Sequence, residues 1–284
     1  MNTTQDSRFD KVATLWAGFL VAVVAAFSTM PSHAAGFNLN HWAQHSETST
    51  VTVDHSKWAK ILDRYLVVGQ DGLNRFQYGS VSEGDKQGLK SYLADLQDLD
   101  VTALNRDEQF SYWMNLYNAL TIDVVLDHYP VTSIRNISLS GFFSIGPWKA
   151  ALVTVDGQDL SLDDIEHGIL RGLWKDPRIH YGVNCASVGC PNLQPQPFTG
   201  KTVDDQLTQA AIAYVNDPRG VRVIEKRVRV SSIYSWFKED FGNSDQGVLD
   251  HLKTYADENL KADLSMFSRI NGYDYDWSLN DATE

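Results

Sequence analysis

The sequence predicts an α+β fold in which a small antiparallel sheet packs against helices. Apolar residues recur at helical spacing in several separate runs. Short β-rich runs carry hairpin signals, and the regular strand–helix alternation of a doubly wound sheet is missing.

The elements follow in chain order. Residues 1–34 read as a secretory signal. Arg8 and Lys11 begin it, residues 12–27 are apolar and uncharged, and Ser32-His33-Ala34 before Ala35 has the small residues of a cleavage site. Residues 35–54 are a polar lead-in, 55–280 a single globular domain, and 281–284 a tail. Helices are expected at 56–68 through Trp58, Ile61, Leu62 and Tyr65, and at 85–99 through Leu89, Tyr92, Leu93 and Leu96. The longest helix is expected at 105–129 and is closed by Pro130. A strand at 150–155 runs into the Asp156-Gly157 turn. A helix at 161–174 opens with Ser161 and Asp164 at capping-box spacing. Residues 178–184 read as a strand, 202–215 as a helix capped by Thr202, and 221–224 with 228–232 as a hairpin. Helical segments at 234–241 and 246–260 precede the tail sequence YDYDWSLN.

Removing residues 1–34 leaves about 250 residues that keep the whole net charge of −12. That balance argues against nucleic acid and anionic lipid as partners. The expected location is periplasmic or secreted, with no stable membrane insertion after signal cleavage. The expected partner is a small-molecule or peptide ligand. The chain has two cysteines, Cys185 and Cys190, and an exported location invites a disulfide between them.

Three groups of residues stand out as candidates for chemistry. The helix around Asn115 is apolar nearly all round, so Asn115 and Asn118 lie on a buried helix and must satisfy their amides there. They either tie loops to the core or face a substrate. In the 161–174 helix, Glu166 projects into the apolar stripe of Ile165, Ile169, Leu170 and Leu173, with His167 on its flank. A buried carboxylate needs a partner or a function. The segment DPRIHYGVNCASVGCPNL at 176–193 holds His180 and both cysteines. If 178–184 is a regular strand, Arg178, His180 and Asn184 share one face, and Cys185 falls on the other. Parity then makes Asn184 the neighbour of His180 and leaves Cys190 or Ser187 to fold back toward it. His180 activates a cysteine, with Glu166, Asn184 or Asp276 orienting the ring, or the cysteines are a disulfide and His180 with Glu166 forms an acid/base or ligand-binding pair, or the whole group is structural and His180 is a hydrogen-bonded core residue. The spacing matches no zinc signature, and neither metal nor cofactor is expected.

Five segments in order resemble one family: YWMNLYNALTIDVVLDHYP (112–130), LDDIEHGILR (162–171), the 176–193 segment, SIYSWFKEDFG (232–242) and YDYDWSLN (273–280). They are similar to the domain-of-unknown-function family number 547, found in exported bacterial proteins and in plant proteins beside a leucine-zipper segment. The resemblance covers residues 55–280. Its motif residues fall on Asn115, Asn118, Glu166, His167, His180, Cys185, Cys190 and Pro191. It implies no settled activity. A more distant similarity to papain-like and transglutaminase-like architectures puts His180 at their histidine position and leaves the nucleophile's place on the central helix without a cysteine.

The resulting expectation is a pocket with catalytic His180, Cys190, Cys185 and Glu166, and with Asn115, Asn118, His167, Arg178 and Asn184 binding substrate. Its enzymatic form is a thiol-dependent hydrolase or acyl transferase acting on a cell-envelope or exported substrate. The rival is a non-catalytic periplasmic binding or interaction module with a structural Cys185–Cys190 disulfide. Cys190 is the preferred nucleophile if reduced.

Overall fold

A computed structural model describes residues 37–141 and 145–282. The expected signal at 1–34 lies outside the described residues. The architecture is α+β, with helices as the main mass and, among the described residues, three small sheets packed against them. Among the described residues, no helix is long and apolar enough to cross a membrane.

The centre is the helix Arg106–His128. The Asn105 side chain caps it by accepting from the Glu108 amide at 2.9 Å. Trp113, Met114, Leu116 and Val125 are all fully buried, so the helix has no solvent face along most of its length. It packs against Glu83–Gln97, Val203–Val215 and the turn of helix that bears Glu166.

Strands Leu66–Val68 and Asn74–Phe76 form one antiparallel pair, where the expected first helix stops early at Tyr65. A second pair, Val153–Val155 and Gln158–Leu160, turns at Asp156 and Gly157, both at positive φ. In the third sheet, Val221–Ile224 and Arg227–Ser231 form the expected hairpin. The tail strand Gly272–Asp274 joins it in parallel, which the sequence pattern did not indicate. Thr202 begins its helix without a side-chain cap, because its hydroxyl is spent on Thr199 and Gln206.

The helix after the second hairpin starts as expected. Ser161 Oγ accepts from the Asp164 amide at 3.1 Å, and Asp164 accepts from the Ser161 amide at 2.9 Å. It then widens into a π-helix over Asp164–Leu170 before returning to α over Arg171–Trp174. Such widening is rare and is frequent at functional sites.

The strand expected at 178–184 is a helical turn, Ile179–Gly182. The Asp176-Pro177-Arg178 lead-in decides this. Asp176 accepts from the Arg178 amide at 2.8 Å, and proline's fixed φ suits the start of a turn. The face alternation argued from a strand therefore does not apply. The apolar interior forms two clusters, and Ile179 and Val183 belong to one while Tyr181 belongs to the other. His180 thus sits at the seam between them.

Candidate functional site

The seam opens into a cavity of about 260 Å³. The π-helix supplies Glu166 and His167, Asp163 immediately precedes it, and the central helix supplies Tyr117. The turn supplies His180, and the loop behind it supplies Cys185 and Cys190. Trp236, Phe237, Tyr275 and Trp277 arrive from the C-terminal third of the chain.

His180 is buried, and both its ring nitrogens face carboxylates. Nε2 lies 2.7 Å from Asp240 Oδ2, and Nδ1 lies 3.5 Å from Glu166 Oε1. The ring stacks on Phe237, with centroids 4.3 Å apart and planes at 15°. Burial opposes its charging, but hydrogen bonding to Asp240 and Glu166 outweighs burial and raises its pKa above the ordinary imidazole value. Asp240 also accepts from Arg171 Nε at 2.6 Å. Burial pushes its carboxyl up, yet His180 and Arg171 bring it down to about 2. Burial likewise raises Glu166, and hydrogen bonding to His180 with the charge of His167 outweighs it, leaving Glu166 below the usual carboxylate range. The result is a chain of alternating charge, Glu166–His180–Asp240–Arg171. The 3.5 Å contact between Nδ1 and Glu166 is its loosest link.

The cysteines differ sharply. Both are free thiols, and the Cys185 amide donates to Cys190 Sγ at 3.1 Å. Cys190 is buried, and burial together with the neighbouring Cys185 pushes its thiol well above the ordinary value. Cys185 is partly exposed. Its sulfur lies 3.2 Å from Ser187 Oγ and 3.1 Å from Tyr275 Oη. The hydrogen bond from Cys190 lowers its pKa, with help from Ser187 and Tyr275 against burial. Of the two sulfurs, Cys185 is thus the more accessible and the more readily ionised. Ala186, the next residue, is fully buried at φ +57°, a strained conformation for a residue with a Cβ.

Other expected site residues lie elsewhere. Asn115 makes a two-way bond to Phe198, donating to its carbonyl at 2.7 Å and accepting from its amide at 3.0 Å. Asn118 donates to the Gly182 carbonyl at 2.9 Å and accepts from the Asn184 amide at 2.8 Å. Both amides tie loops to the core. Asn184 shapes the cysteine loop, donating to the Pro191 carbonyl at 2.7 Å and accepting from the Ala186 amide at 2.9 Å. It does not orient His180. Arg178 is spent on Asp176, Asp204 and Thr208. The Asp276 carboxylate accepts from the Ser278 amide and its backbone carbonyl from the Gly189 amide, and the carboxylate at His180 Nε2 is that of Asp240. Asp240 was missed because it lies 60 residues from its histidine. The only local hint was its place in SIYSWFKEDFG. Among the described residues, no three His, Cys, Asp or Glu side chains gather as a metal site.

No curated protein and no solved structure matches the chain at a significant level. The segments 112–130, 162–171 and 176–193 fall within the matched family region, while those at 232–242 and 273–280 lie outside it. Over residues 101–215 the chain is similar to the family described as protein of unknown function, DUF547, the same family that the sequence motifs resemble.

Proposed function

We propose that this cavity is a thiol-dependent acyl-transfer site, a hydrolase or acyl transferase with Cys185 as nucleophile, in an exported protein acting on a cell-envelope or exported substrate. The observation that carries the reading is the asymmetry of the thiols. The partly exposed Cys185 has Cys190 and two hydroxyls within hydrogen-bonding reach, which favours a thiolate, whereas burial keeps Cys190 protonated. The Cys185 thiolate attacks an acyl carbonyl, a sulfur–carbon bond forms, and the bond to the leaving group breaks. The leaving group takes a proton from His180 Nδ1. Water then cleaves the thioester, returns a proton to His180 and releases the acid and the thiolate. Asp240 and Glu166 keep His180 charged at the start of the cycle, and Glu166 compensates its charge. The apolar run and small-residue site at 12–35 support export.

Alkylation by iodoacetamide tests the reading. One thiol should react fast at neutral pH in the native chain. That reactivity should vanish in Cys185→Ser and persist, slowed, in Cys190→Ser. Incubation with p-nitrophenyl acetate should leave an acetyl group on Cys185, seen by mass spectrometry. Absence of free thiols before any reductant is added, or faster reaction at Cys190, would overturn it. The proximity of the two thiols favours one second reading, a binding module in which they close as a disulfide. Absence of free thiols is the result that reading requires.

A further inference from the structure

The outer wall of the cavity is aromatic. Trp236 stacks on Trp277 at 5.5 Å, and Tyr275 lies 4.6 Å from Trp277. Trp148 meets Trp277 edge-on at 5.7 Å. Trp236 is 48 % exposed, a large aromatic left in solvent at the mouth. The charges in the lining are the carboxylates of Asp163 and Glu166 and the His180 imidazolium; no lysine or arginine lines the cavity among the described residues, and Arg135 lies over the Trp277 ring at 5.2 Å. Glu166 is compensated by His180. Asp163 is compensated only loosely. Its amide is anchored to the Trp148 carbonyl at 3.0 Å, and its carboxylate has only His167 Nε2 at 3.8 Å. The exposed Lys149 acts on Asp163 through its charge but makes no ion pair with it.

From this arrangement we infer that the cavity binds the cationic end of an aliphatic amine, with its alkyl stem against the tryptophans and its ammonium at Asp163. This rests on the acyl-transfer reading only for the ligand's role as part of a substrate. An ammonium held near aromatic faces and one carboxylate gains from both, because ring quadrupoles and carboxylate attract the same charge. A sugar ring also stacks on tryptophan, but each of its hydroxyls needs a partner when buried. Here Asp163 is the carboxylate with free acceptor capacity, and Glu166 and Asp240 are already engaged.

Saturation-transfer NMR on the full chain carrying Cys185→Ser separates binding from thiol chemistry. The probes are n-butylammonium, the neutral n-pentanol and N-acetylglucosamine. We expect saturable binding of n-butylammonium about tenfold tighter than n-pentanol. Asp163→Asn should erase that difference, and Trp236→Ala should weaken both probes, with circular dichroism confirming folded variants. Equal affinity for the two alkyl probes, preference for the sugar, or no saturable binding of n-butylammonium would overturn the inference. If the ammonium binds while the native chain shows no reactive thiol, the cation site stands and the acyl-transfer reading falls.

Discussion

Asp240→Asn removes the carboxylate that holds His180 Nε2 at 2.7 Å and Arg171 Nε at 2.6 Å. Hydrogen bonds to charged partners contribute about 1.5–3 kcal/mol each when well shielded. Two features discount that figure. Asp240 is 25 % exposed, and Arg171 keeps Glu239 at 2.6 Å. The expected loss is therefore about 2 kcal/mol, or about 4–8 °C in Tm for a domain of this size. The loss should depend on pH with a definite sign. His180 has a folded pKa above its unfolded value, so its charged pairing stabilises fully below about pH 6.5 and fades as pH rises through the folded pKa. The gap between native and variant should be wider near pH 6 than near pH 9. Calorimetric melts at the two pH values measure the gap, and NMR titration of the His180 ring measures its pKa, which should fall in the variant. An equal gap at both pH values, or an unmoved His180 pKa, would refute the charged-chain reasoning.

Asn115→Leu should cost about 2–4 kcal/mol by urea unfolding, because it strands both the amide and the carbonyl of Phe198 in the core. A loss under about 1 kcal/mol would mean the Phe198 groups find other partners. Gly182→Ala should cost about 1–3 kcal/mol, since a Cβ there would meet Met114 Cε at 2.1 Å and Leu207 Cδ2 at 2.6 Å; an unchanged melting temperature would show that Met114 yields freely. His55 is buried, with its pKa brought down to about 4 by burial, against a slight upward pull from Asp54. Its contribution is present above about pH 6.5 and is lost as pH falls toward 4, by up to about 3 kcal/mol. Acid unfolding of His55→Gln should therefore be shallower over that window, and an identical slope would count against a neutral His55.

Much of the fold was legible because its signals are local. Asn105 and Ser161 announce helix starts through side chains that reach only three residues. The Asp156-Gly157 turn and the all-round apolar helix are likewise written in consecutive residues. The 178–184 segment failed for an equally local reason. Alternation across seven residues resembles a strand, yet Asp176-Pro177 sets a helical turn, and that difference moved His180 and Cys185 from opposite faces to one cavity. The π-widening at Glu166 has no propensity signature, because it reflects how that helix packs.

By itself, the sequence determined the α+β class, the buried central helix, the buried carboxylate at Glu166 and the crowding of His180 with two cysteines. These follow from periodicity, capping chemistry and the cost of burying polar groups. Only the tertiary structure decided that Asp240 and Arg171 complete the charge chain. It also decided that Tyr275 and Ser187 distinguish Cys185 from Cys190, and that Trp236, Phe237, Tyr275 and Trp277 reach the cavity from the C-terminal third of the chain. The physical reason is range. Periodicity and caps act over a turn or two of chain, whereas a charge, a hydroxyl or a ring acts on whatever the fold sets within a few ångströms, however far away it lies in sequence.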